Sequence, residues 1–295
     1  MVRPLARRGM LDYGESTMSA QKEALAKLLR DDDPETVRLV KEQLVRSGEE
    51  GLGRLEELCN MDDACVSNHA REVLAEIRGR DLNRDFSLIC HFFGERMDLE
   101  VACWGLARAV EPGCCTLTSE HSLNVWGREL LDRISGACCN LERVKQLSDL
   151  MAGKLGFGGN SENYYCEENS LLPRVIESRL GLPISLSALY MMVGSRAAMK
   201  IEGINLPGHF IARHGEVYFD PFHGGRILEL PDVEQILIRQ GLRLKECHLQ
   251  AATPRQILVR MLANLLYVYD LSGDAAKHQR VKSWMDALAC GRSER

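Results

Sequence analysis

The sequence predicts an α+β fold: a core of one buried central helix and a small antiparallel sheet, flanked on both sides by helical-repeat segments. Three observations predict it. Apolar residues recur at helical spacing from Ser19 to Leu150 and again from Ala252 onward. The stretch Pro183–Ala198, PISLSALYMMVGSRAA, is apolar nearly all round, as a helix buried on every side must be. Immediately after it, period-two alternation runs from Lys200 to Asp220, the pattern of strands.

The chain has 295 residues, enough for more than one unit. The expected divisions are a flexible tail over 1–18, a helical segment resembling HEAT repeats over 19–80, a core domain over 81–250 and a helical pair over 251–295. Net charge is −5, which argues against a nucleic-acid surface built on a basic stripe. No apolar run approaches the roughly 20 residues of a membrane span, and the basic opening MVRPLARRGMLDYGES lacks an apolar run behind it. The expected partner is therefore another protein or peptide, with no nucleic acid and no membrane. The 11 cysteines form adjacent pairs or fall singly on apolar faces, and no Cys-x-x-Cys occurs. Reduced thiols in a cytoplasmic protein fit that usage better than disulfides or a zinc knuckle.

Along the N-terminal segment, Ala24, Leu25, Leu28 and Leu29 share one helical face. Asp33-Pro34 gives a cap followed by proline at the first helical position. Val37, Val40, Leu44 and Val45 form the next stripe, and shorter helices follow around Leu52–Leu58 and Val66–Ile77. A plain helical bundle accounts for this pattern as well as a repeat does. Further helices are expected around Phe86–Phe93, Leu99–Leu106 and Leu130–Leu150, with Gly136 a weak point in the last. Gly156–Asn169, GFGGNSENYYCEEN, reads as a loop. At the other end, Thr253-Pro254-Arg255-Gln256 is a capping box, and a second helix carries Val281, Trp284, Met285 and Leu288. This last pair resembles a tetratricopeptide unit and needs to dock on the domain before it.

The segment Gly208–Asp220, GHFIARHGEVYFD, reads as a β-hairpin. A two-residue loop at His214–Gly215 pairs Arg213 with Glu216, Ile211 with Tyr218 and His209 with Asp220. Directly opposed residues hold their Cβ atoms about 5 Å apart, so the imidazole and the carboxylate can hydrogen-bond. Phe210, Ala212, Val217 and Phe219 form the core face, which leaves His209 and Asp220 together on the more polar one. A carboxylate orienting an imidazole is two thirds of a nucleophilic triad.

Several motifs in fixed order carry a resemblance. They are Gly158-Gly159-Asn160, Tyr164-Tyr165, Asn169-Ser170, Val175, Arg179 and Gly181-Leu182-Pro183-Ile184-Ser185-Leu186-Ser187, then Leu206-Pro207-Gly208-His209-Phe210 and Asp220-Pro221-Phe222 with Gly224-Gly225. In these the chain resembles the transglutaminase-like, papain-related superfamily, and within it SirB-type proteins with tetratricopeptide-like C-terminal helices. The resemblance covers 81–229. It implies a catalytic cysteine at the start of the central helix, with histidine and aspartate on neighbouring strands. Here Pro183 takes the cysteine's place, and proline carries no nucleophile.

Three residues are candidate substitutes: Ser185 and Ser187 in the first turns of the helix, and Cys166 in the preceding loop. Small-residue packing and capping account for the serines, and a surface-loop thiol for the cysteine. His209, Asp220 and His223 have ligand types that suit a divalent ion. With Asp220 and His223 only three positions apart around Pro221, no third strong ligand is evident, so no metal and no cofactor are assigned. The sequence reading is a catalytically degenerate, cytoplasmic binding module. His209 and Asp220 form its remnant dyad, and Asn160, Tyr164, Tyr165 and Asn169 join them as ligand-binding residues. The alternative is a hydrolase or acyltransferase using Ser185, Ser187 or Cys166 with that dyad.

Overall fold

A computed structural model describes residues 12–93 and 98–290, with backbone alone for 12–20 and 49–50. The chain divides into two compact units, Met1–Leu82 and Asn83–Arg295.

The first unit is helical: α1 (Asp12–Leu29), α2 (Pro34–Ser47), α3 (Leu52–Cys59) and the opening turns of α4 (Ala64–Phe92). Of the expected tail, residues 12–18 belong to α1, and residues 1–11 lie outside the described residues. Asp33 caps α2, its carboxylate accepting from the Glu35 and Thr36 amides at 3.2 Å each. Leu29, Leu55, Leu58, Val66 and Ala70 are fully buried and form its core. Helix α4 runs uninterrupted through Arg80 and Asp81, where the sequence reading placed a division. Nothing there forbids a helix, since Gly79 costs only about 1 kcal/mol relative to alanine.

The second unit continues with α5 (Leu99–Val110), α6 (Thr116–Ile134) and α7 (Asn140–Ser148), which passes into a π-helical turn at Asp149–Lys154. Strand β1 (Gly158–Gly159) pairs in parallel with β2 (Leu180–Gly181), and α8 (Leu172–Ser178) lies between them in sequence. Next comes α9 (Pro183–Arg196), buried along nearly its whole length. Four strands follow: β3 (Ile201–Leu206), β4 (His209–His214), β5 (Val217–Asp220) and β6 (Arg226–Leu228), all antiparallel in that order. The chain closes with α10 (Leu230–Ile238), α11 (Pro254–Ser272) and α12 (Ala275–Cys290). Among the described residues no helix is long and apolar enough to cross a membrane.

Helix α9 lies against one sheet face. A Cβ at Gly194 would stand 2.3 Å from Ile201 Cδ1, so glycine permits the approach. Phe210, Ala212, Val217 and Phe219 point into this main core, as their alternation predicts. The opposite face is not left to solvent. Ile204, Leu206, Ile211 and Leu228 bury against Val233 and Leu237 of α10 in a second small core. The polar reading of that face missed α10, a helix distant in sequence from Ile211.

Helices α11 and α12 turn at Gly273, whose φ of +70° suits glycine. The capping box forms: Thr253 Oγ1 accepts from the Gln256 amide, and Gln256 Oε1 from the Thr253 amide. Ile257, Leu258, Leu262, Leu265, Trp284 and Leu288 share one core with α9. Trp284 meets Phe86 edge-on at 4.9 Å and donates to Asn83 Oδ1 at 2.9 Å.

The hairpin register differs from the expected one. His214 pairs with Val217, Arg213 with Tyr218 and Ala212 with Phe219, so the two-residue turn is Gly215–Glu216. The expected pairs of Arg213 with Glu216, Ile211 with Tyr218 and His209 with Asp220 do not form; His209 faces Leu206 on β3. Turn chemistry explains the shift. Glycine at the first central position supplies the single positive φ, +59° at Gly215, as in type II′ turns. A His214–Gly215 turn of type I′ would place histidine there too. Because the slip moves the partner strand by two positions, every side chain keeps its predicted face.

Candidate ligand site at the end of the hairpin

His209 and Asp220 therefore meet on a diagonal of the sheet rather than face to face. Diagonal neighbours stand farther apart, within reach of long or aromatic side chains. His209 Nε2 lies 2.8 Å from Asp220 Oδ2. Asp220 ends β5 and caps the 3-10 turn Pro221–His223. Its Oδ1 accepts from the Phe222 amide at 3.0 Å and, more weakly, from the His223 amide at 3.4 Å. The same turn swings His223 back, so that its Nδ1 lies 2.7 Å from Oδ2. Two imidazoles thus converge on one carboxylate oxygen. Both nitrogens donate, because an ionised carboxylate only accepts.

Asp220 is 3% exposed. Burial alone would raise its pKa, but the hydrogen bonds and charges of His209 and His223 outweigh burial and hold the carboxyl below its ordinary value. The charge is felt across the core on α9. Burial first, and then the Asp220 carboxylate, push the Tyr190 phenol upward. His209 is largely covered, whereas the His223 side chain is 62% exposed.

A cleft of about 500 Å³ opens over this cluster. Beyond the three clustered residues, Arg226, Asp232, Gln235 and Arg239 help to line it. Arg226 is paired with Asp232 at 2.6 Å. Among the described residues Arg239 has no ion pair. The sequence reading did not find this α10 wall. Asp232, Gln235 and Arg239 stand at i, i+3 and i+7, one face of a helix, and that spacing was the available signal.

The other expected site residues lie elsewhere. Asn169 is buried, and its amide donates to the Asn163 and Tyr164 carbonyls at 2.7 and 2.9 Å. Its Oδ1 accepts from Asn160 at 3.0 Å, and Asn160 Oδ1 in turn accepts from the Asn163 amide. Asn160 and Asn169 thus fasten the 156–169 loop. Tyr164 packs against Phe222, and the exposed Tyr165 against Tyr267. None of these four lines the cleft.

The candidate nucleophiles are likewise engaged. Ser185 Oγ donates to Asn169 O at 2.7 Å or Leu182 O at 3.1 Å, and accepts from the Leu182 amide at 2.9 Å. Ser187 Oγ donates to Pro183 O at 2.7 Å. Cys166 caps the 3-10 turn Glu167–Ser170, where burial raises its thiol pKa. Among the described residues, no hydrogen bond joins any of the three to His209.

Residues 118–263 match the Transglutaminase-like superfamily. The chain carries a transglutaminase-like domain. This domain starts within α6 and ends within α11, so part of the C-terminal helical pair belongs to it. A UPF0162 protein of Xylella fastidiosa is 39% identical over 126 residues, 39% of this chain and 45% of the relative. A UPF0162 protein of Pseudomonas aeruginosa is 33% identical over 127 residues, 39% of this chain and 47% of the relative. F-box only protein 21 of Homo sapiens is 26% identical over 168 residues, 52% of this chain and 26% of the relative. The matches thus span about half the length of the bacterial relatives. No solved structure gives a significant match.

Proposed function

We propose that this chain is a catalytically degenerate, SirB-type transglutaminase-like protein of the cytoplasm, and that it holds a protein or peptide ligand in the cleft beside His209 and Asp220. One observation carries the reading: α9 opens on Pro183, where the superfamily resemblance implies the attacking cysteine. The engaged hydroxyls of Ser185 and Ser187 support it, since neither is free to be activated by His209. The cleft supports binding through its mixed walls, in which Arg239 and Gln235 offer donors and Ile236 and Leu228 apolar contact. Recurrence of a similar stretch within the longer F-box only protein 21 is what a portable module would give. The tetratricopeptide-like reading of α11 and α12 assigns their outward residues, such as Tyr267 and Leu271, to the same role.

Activity-based labelling tests the proposal. A fluorophosphonate leaves the protein unmodified, and iodoacetamide labels exposed cysteines equally in wild type and His209→Ala. A binding partner recovered with the wild type is lost with Arg239→Glu. Labelling of Ser185, Ser187 or Cys166 that disappears in His209→Ala overturns the proposal in favour of a hydrolase or acyltransferase.

A further inference from the structure

We propose that His209, Asp220 and His223 form a binding site for one divalent transition-metal ion, zinc being the ion their chemistry suits best. The inference goes beyond the ligand-binding reading and does not depend on it.

One nitrogen from each imidazole and one carboxylate oxygen lie within 4.8 Å of one another. The arrangement exceeds what a structural pair or an acyl-transfer dyad requires. Either needs one imidazole on the carboxylate, whereas here two nitrogens aim at the same Asp220 oxygen, at 2.7 and 2.8 Å. The other oxygen, Oδ1, is tied to backbone amides of the following turn. Such outer hydrogen bonds fix a ligating carboxylate in metal sites. No lysine or arginine is paired with Asp220 among the described residues, so a cation at Oδ2 displaces only the two imidazole protons.

The geometry needs little adjustment. Zinc bonds of about 2.0–2.2 Å in a tetrahedral set place neighbouring donors about 3.4 Å apart. The two N···O contacts must open by about half an ångström, which the exposed His223 can provide. Two imidazoles and one carboxylate leave at least one position open to the cleft. That is the donor count of a site that keeps a water or a ligand atom, rather than a closed structural site. Imidazole nitrogen selects zinc and its transition neighbours over magnesium or calcium.

Titration of chelator-treated full-length protein with zinc by calorimetry, and with cobalt by visible absorption, tests the site. One equivalent binds with micromolar or tighter affinity, and the cobalt spectrum lacks thiolate charge-transfer bands. His223→Ala, which alters an exposed side chain, weakens binding at least tenfold while metal-free melting stays within a few degrees of wild type. Asp220→Asn weakens it further. Binding falls between pH 7.5 and 5.5, because imidazoles must lose their protons to ligate. Absence of one-equivalent binding, equal binding in His223→Ala, or thiolate bands that place the ion on the cysteines overturns the proposal. The labelling result for the proposed function is independent of all three.

Discussion

Two polar clusters lie on either side of Phe222, and their hydrogen bonds are organised differently. On one side is the loop network of Asn160, Asn169 and Ser185. There each amide or hydroxyl is matched to a loop or helix-start partner. A Cβ at Gly159 would stand 2.5 Å from the Phe222 ring, so this loop lies directly on it. On the other side, His209 and His223 converge on one oxygen of Asp220 and open onto a cleft. The first cluster is closed and holds the backbone in place. The second keeps donor capacity that no protein group uses. Residue type alone does not separate them, since both were plausible ligand sites in the sequence. What separates them is whether the partners are already present.

That comparison can be broken most sharply at Asp220. Asp220→Ala removes the acceptor of two imidazoles and two amides in a buried position. It is expected to destabilise the unit by about 3 kcal/mol, read as a drop in thermal midpoint of roughly 6–12 °C. A drop under about 3 °C would mean that the cluster is not held by its carboxylate. The same residue sets an acid response. Its folded carboxyl lies below the ordinary value, so its contribution is fully present above that value and is lost as pH falls through the folded one. Acid unfolding of Asp220→Asn, followed by circular dichroism below pH 5, is therefore less steep than that of wild type.

On the closed side, Asn169→Ala strands the Asn163 and Tyr164 carbonyls and the Asn160 amide. The expected cost is about 2 kcal/mol in denaturant unfolding, with zinc affinity unchanged. A change in zinc affinity would show that the two clusters are coupled through Phe222. Gly159→Ala forces its new methyl against Phe222. It is expected to cost about 1–3 kcal/mol and also to weaken zinc binding, because Phe222 adjoins the turn that carries His223. The smallest stability effect is expected from His223→Ala, under about 1 kcal/mol because its side chain is mostly in water.

Much of the architecture was legible. The all-round apolar run gave α9, the Thr253 capping box started α11, and alternation assigned Phe210, Ala212, Val217 and Phe219 to the core. Each of these follows from local periodicity or local hydrogen bonding. The candidate site was legible only in part. His209 and Asp220 were placed together on the right face but through the wrong turn. His223 was judged too near Asp220 in sequence to join it. A 3-10 turn reverses the chain after Pro221, and the count of intervening residues could not reveal that.

By itself the sequence determined the α+β class, the buried helix, the proline at its start and the face each hairpin residue takes. These depend on composition and on spacings within a few residues. Tertiary structure decided which turn closes the hairpin, that α10 covers the second sheet face, and that Asn160 and Asn169 fasten a loop instead of lining a cleft. Those outcomes depend on contacts between segments far apart in the chain. There, the only available partner for a polar atom is whatever the packing of other elements brings within about 3 Å.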